Sequence, residues 1–156
     1  GHQRLHRLSQ LVHTHAQPAE IPPLAVVSLF FLKQHLAPNG DGFLHRLTDD
    51  APAGLGMSAR GITVSTVGLV PRIQQLAQEG LPVTLALSLH ATTDEVRDRL
   101  MPVNRRWPIS EVLDAAREYG ATVGRRVTLE YTLIAGVNDS AADADRLAAF
   151  ARLDAP

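Results

Sequence analysis

No cysteine occurs in the 156 residues. That absence excludes disulfides, thiolate zinc sites, a cysteine nucleophile and any iron-sulfur cluster held by this chain's own thiolates. Long apolar runs are also missing. The longest, Leu24 to Leu32, has nine residues against the roughly 20 that span a bilayer, and it lacks the charged start and small-residue cleavage site of a signal peptide. The reading that follows is a cytoplasmic protein with no membrane partner. Charge of either sign is not in excess: 15 basic and 16 acidic residues leave a net charge of -1. No global field therefore draws in nucleic acid, and any contact with it must be local. What is present is ordinary globular material, 45% hydrophobic and 20% charged, over a length that suits one domain with a real core.

Residues 1–43 read as an irregular N-terminal segment. Leu5, Leu8, Leu11 and Val12 lie at helical spacing, and Pro18, Pro22 and Pro23 then close off any helix. The apolar stretch from Leu24 to Leu36 suits a strand or a short helix equally, and Pro38 to Gly42 is turn chemistry. Beyond Gly61 the pattern sharpens. The run from Ile62 to Val67 is rich in β-branched residues and reads as a strand. Pro71 with Ile73, Leu76 and Ala77 predicts a helix ended by Gly80, and Val83 to Ser88 a second strand. Thr92 and Glu95 offer a capping box for a short helix reaching Leu100. Val112, Leu113 and Ala116 predict a helix from Ile109 to Tyr119 that Gly120 ends, and Arg126 to Ile134 alternates as a third strand. Ala144, Leu147, Phe150 and Leu153 stripe a last helix. The order β-α-β-α-α-β-α calls for an α/β fold of parallel strands, part of a (β/α) barrel in preference to a sandwich.

In such folds the C-terminal ends of the strands carry the chemistry, because the following loops and helix N-termini supply donors there. Three places answer that rule: Ser65 to Gly68, Ser88 to Ala91, and Glu130-Tyr131 with the turn at Asn138-Asp139. At each, a capping or turn role competes with ligand binding. Ser88 and His90 make a poor hydrolase pair, since they lie two apart and no orienting acid is identifiable by spacing. His2, His6, His13 and His15 form a terminal cluster without a placed carboxylate, which suits a solvated tail better than a metal site. No metal ligand is assigned. Arg105, Arg106 and Trp107 could hold a phosphate and stack a base, or be a packed tryptophan beside exposed arginines. Glu95 and Asp98 flank Arg97 and Arg99 and should neutralise most of their charge.

Four runs taken together resemble the RlmN family: Gly61 to Pro71, Leu85 to Ala91, Arg97 to Arg106, and Glu130-Tyr131 with Gly136 to Asp139. They stand in the family's order and spacing over about residues 44–153. These are radical S-adenosylmethionine methyltransferases acting on adenine C2 of large-subunit ribosomal RNA and some transfer RNA. The resemblance implies a partial radical-SAM-type (β/α) barrel over residues 44–156, and S-adenosylmethionine bound at Ser65 and at Ser88, Leu89 and His90. Arg105 and Arg106 then become candidate RNA contacts, with ribosomal RNA and transfer RNA as partners.

The departures from that family are as informative. Its 4Fe-4S cluster is held by a CxxxCxxC motif ahead of a Gly-Met-Gly-Glu-Pro strand, and residues 1–43 contain neither, Val26-Val27 running instead into Ser28 to Phe31. The carrier and resolving cysteines are absent, as is a cofactor-binding asparagine of a later strand. No catalytic residue is assigned, and the chain alone is expected to be inactive. Two other readings stand beside this one: a non-catalytic module that binds S-adenosylmethionine or RNA, and a half-barrel enzyme of other chemistry at the Ser88-His90 loop. A half barrel leaves two sheet edges unpaired, which predicts self-association.

Overall fold

Ile62, Val64 and Thr66 alternate with Thr63 and Ser65, and that period of two becomes a strand buried on one face. The structure, a computed structural model, describes residues 25–28, 44, 48 and 56–154. The helical cluster at residues 5–12, the histidines at 2, 6, 13 and 15 and the turn at 38–42 lie outside the described residues. The elements in chain order are β1 (Ala25–Ser28), β2 (Ile62–Thr66), α1 (Val70–Gln78), β3 (Thr84–Ser88), α2 (Asp94–Leu100), α3 (Ile109–Val123), β4 (Val127–Glu130) and α4 (Ala141–Phe150). From β2 onward this is the alternation that the spacing predicts. Part of the ambiguous stretch after Leu24 is therefore a strand.

The four strands lie in the order β1-β2-β3-β4, and every pair is parallel. Because strand order follows chain order without reversal, the sheet has the arrangement of a barrel wall and no topological switch point. Register sorts the side chains onto two faces. Val64 pairs with Leu85 and Leu85 with Val127, while Thr66, Leu87 and Leu129 form the next row. This apolar face receives α1 through Ile73 and Leu76, α3 through Val112, Ala115, Ala116 and Tyr119, and α4 through Leu147 and Phe150. A fully buried leucine or valine here contributes about 1.5–3 kcal/mol by leaving water. Leu44 joins the same core, and the Thr48 hydroxyl donates to its carbonyl at 3.2 Å. The opposite face is small and polar: Thr63 beside Thr84, Ser65 beside Ala86 and Thr128, and Ser88 beside Glu130.

Three local expectations fail for identifiable reasons. α2 is capped by Thr93, whose hydroxyl accepts from the Val96 amide at 3.4 Å, while Thr92 is drawn away to donate to Asp143 across the fold. α3 runs through Gly120 and ends at Gly124, which takes the left-handed φ of +67°. Gly120 serves a different need: a β-carbon there would sit 3.3 Å from the Arg125 carbonyl, so glycine lets the chain return close to the helix. Finally, β4 stops at Glu130, because the backbone of the following residues bonds to the Asn138 side chain instead of a neighbouring strand.

Candidate functional site at the strand ends

The C-terminal ends of β2 and β3 converge on a buried arginine. Arg97, on α2, is fully buried. Its Nε donates to the Leu89 carbonyl at 3.1 Å, and one terminal nitrogen donates to the Asn104 side chain at 2.8 Å. The other donates to the Val67 carbonyl at 2.8 Å and the Ser88 carbonyl at 3.3 Å. One planar guanidinium thus ties together the chain leaving β2 and the chain leaving β3, a task for its fixed fork of donors. Burial lowers its pKa while Asp94 and Asp98 oppose the shift. Asn104 in turn donates to the carboxylates of Asp94 and Asp98, and Asp94 accepts from the Ile109 amide at the start of α3. Of the two arginines flanked by Glu95 and Asp98, Arg99 is exposed and Arg97 is buried, bonded to backbone carbonyls and Asn104. No spacing rule separates two arginines two residues apart; only their membership in the Arg97 to Arg106 run marked the segment.

Gly68 follows β2 at a φ of +95°, and a β-carbon there would lie 2.8 Å from Val112 and 3.3 Å from Arg97. Its amide donates to the Thr66 hydroxyl at 3.1 Å. The loop is therefore shaped for close backbone packing, with glycine required by both angle and space.

Ser65 and Ser88 share the polar face on adjacent strands, two rows apart, as the register fixes. Ser88 donates its hydroxyl to Glu130 at 3.1 Å and does not bond to His90. Leu89 turns the other way into the core, its amide committed to the Glu130 carbonyl at 2.9 Å and its carbonyl to Arg97. His90 stands in the left-handed region at φ +56°, a conformation that costs a non-glycine residue of order 1 kcal/mol and calls for support. That support comes from the loop after β4. The Thr132 amide donates to His90 Nδ1 at 3.1 Å, and the Asn138 side chain donates to the His90 carbonyl at 2.7 Å. Burial holds the imidazole below its ordinary pKa, opposed by Glu130 and reinforced by Arg97. With Nδ1 an acceptor and no carboxylate on the ring, the constellation lacks the parts of a Ser-His-acid hydrolase.

The third predicted place, Glu130-Tyr131 with Asn138, is therefore part of the same site. Tyr131 donates to the Asn138 carbonyl at 2.8 Å. Thr92, Ser140 and Arg146 all donate to Asp143, binding the loop after β3 to the start of α4. Those bonds, from Ser140 first and then Thr92, hold the Asp143 carboxyl far below the usual carboxylate range. Arg105 and Arg106 lie apart, exposed on the turn after α2, with the Arg106 guanidinium 6.0 Å from the centre of the Trp107 ring. Among the described residues no cluster of histidines and carboxylates could hold a metal ion, and no helix is long and apolar enough to cross a membrane.

No family model matches the chain. Curated relatives do. It is 69% identical over 106 residues to a probable dual-specificity RNA methyltransferase RlmN of Parafrankia sp. (strain EAN1pec), covering 68% of this chain and 28% of the relative. The corresponding Nocardioides sp. (strain ATCC BAA-499 / JS614) protein is 59% identical over 106 residues, with the same coverage of 68% and 28%. A crystal structure of a radical SAM methyltransferase from Sphaerobacter thermophilus matches with a TM-score of 0.63 and 53% identity, over 68% of this chain and 30% of that one. The chain thus spans little more than a quarter of the length of these relatives. Over that two-thirds of its own length, with parallel strands in barrel order and the strand-end runs in place, the chain belongs to the RlmN family.

Proposed function

We propose that this chain carries the S-adenosylmethionine-binding part of an RNA methyltransferase of the RlmN type and performs no methylation by itself. The observation that carries the reading is the set of small polar groups at adjacent strand ends: Ser65 on β2, Ser88 on β3 and His90 just past β3, where Arg97 bonds the carbonyls of Val67, Ser88 and Leu89. Hydroxyl and imidazole groups there suit the amino-acid and ribose parts of the cofactor. Leu89 enters only through packing and backbone, since its side chain is in the core. Bound there, S-adenosylmethionine would supply the methyl group; the chain's own residues bind and orient it.

A 4Fe-4S cluster does not fit the residues present. Its thiolate ligands have no counterpart in a sequence with zero cysteines. The same lack favours the second reading, a binding module without chemistry. The division at residue 43 belongs to this proposal as well: residues 44–156 form the barrel segment, and residues 1–43 are of separate character, though β1 from within them pairs with β2. RNA, ribosomal or transfer, is the proposed macromolecular partner in the cytoplasm, met by the exposed Arg105 and Arg106. Calorimetric titration of the chain with S-adenosylmethionine tests the core of the proposal. Binding that weakens about tenfold in Ser65→Ala or Ser88→Ala, the loss of one hydrogen bond, supports it; no binding by the wild-type chain refutes it.

A further inference from the structure

His90 presents a question that cofactor binding alone does not answer: why a non-glycine residue holds a left-handed conformation at the end of β3. The loop from Tyr131 to Asp139 supplies the means. Asn138 is buried and spends every polar atom of its side chain on three backbone groups. Its amide nitrogen donates to the His90 carbonyl at 2.7 Å and the Thr132 carbonyl at 2.9 Å, and its oxygen accepts from the Ile134 amide at 2.7 Å. One side chain therefore fixes the His90 backbone and the Thr132 peptide relative to each other. The Thr132 amide is thereby aimed at His90 Nδ1, which accepts from it at 3.1 Å.

A ring nitrogen that accepts a hydrogen bond carries no proton, so in the neutral imidazole the proton must be on Nε2. We propose that Asn138 is a positioning residue for His90, and that the β4-α4 loop sets the imidazole as a neutral Nε2–H donor towards the strand-end site. The class of ligand group it would meet is a hydrogen-bond acceptor such as a carboxylate or hydroxyl oxygen. That last element rests on the cofactor reading above; the tautomer and its cause do not. The charged groups that act on the ring are Glu130, which favours the imidazolium, and Arg97, which disfavours it along with burial. Asn138 touches no ligand in this account and acts through His90.

The test uses the full chain labelled with nitrogen-15 and carbon-13 in histidine, with the seven imidazoles distinguished by the signal lost in His90→Gln. Long-range proton-nitrogen spectra near neutral pH should show His90 as one neutral tautomer, Nε2 protonated and Nδ1 an acceptor. In Asn138→Ala the ring should relax to the mixed tautomers of a free imidazole. An Nδ1-protonated ring in the wild type, or an unchanged tautomer in Asn138→Ala, overturns the proposal. If Asn138→Ala fails to fold, the scalar coupling between the Thr132 amide and Nδ1 in the wild type decides: present, it supports the lock, and absent, it defeats it. Titration with S-adenosylmethionine separates the two claims. If the wild-type chain binds, Asn138→Ala should bind about tenfold more weakly; if it does not bind while the tautomer is as stated, the cofactor reading falls and the positioning role stands.

Discussion

Arg97 and Asp143 are the two side chains whose loss should be felt furthest. Removing the Arg97 guanidinium leaves the carbonyls of Val67, Ser88 and Leu89 without their donor in a buried place. Each orphaned group costs about 1–3 kcal/mol. Arg97→Met should therefore destabilise the chain by at least about 3 kcal/mol in urea unfolding, and Arg97→Lys should recover little, because an ammonium cannot span the same fork. Asp143 makes a prediction in pH. Its native pKa lies below the ordinary 3.8, so the stability it confers is complete above that value and is lost as pH falls through the lower native one. The stability gap between the wild type and Asp143→Asn should narrow on going from pH 7 to about pH 2. His90 works in the same sense at higher pH. Its native pKa is below 6.5, so the unfolded chain takes up the proton first, and stability falls as pH drops below that value.

At the scale of elements, the turn between β2 and α1 must pass close under α3. Gly68→Ala places a methyl group 2.8 Å from Val112 and forces a φ of +95° on a residue with a side chain. A cost of about 2–4 kcal/mol is expected, from strain and overpacking together. Val112→Ala in the same chain removes the clash but not the strain, so the double variant should be more stable than the sum of the single losses, by about 1 kcal/mol or more in a double-mutant cycle. This is also where the limits of sequence reading lie. The alternation of Ile62 to Thr66 and the stripe of Val112, Leu113 and Ala116 are periodic, so strand and helix were legible from residue type alone. Contacts such as Thr92 to Asp143 span 51 residues, and no local pattern announces them. The box read at Thr92 was wrong for that reason: a threonine with two possible partners took the distant one, and Thr93 capped the helix. Ser65, Ser88 and His90 are legible as strand-end positions, while Asn138 reads as turn chemistry as readily as a site and Arg97 as one of a set of mutually neutralising charges.

The molecule as a whole is a parallel sheet with helices on one face and a small polar row on the other. In the relatives the matched segment makes up 28% of the length, and further chain accompanies it. Backbone donors and acceptors at the outer edge of β4 have no strand partner among the described residues, and β1 ends the sheet on the other side. Unpaired parallel edges are templates for pairing with a second copy. We therefore expect the isolated chain to self-associate, with a sedimentation coefficient that rises with concentration and falls back in mild urea. A sharp monomer at all concentrations would mean that the edges are covered, and would make the chain a self-sufficient half barrel. The exposed side chain of Leu133, at 69% of its free surface, sits on the loop just beyond β4. Leu133→Asp should then reduce association without lowering unfolding stability by more than about 0.5 kcal/mol, because it places a charge beside the pairing edge and removes nothing from the core.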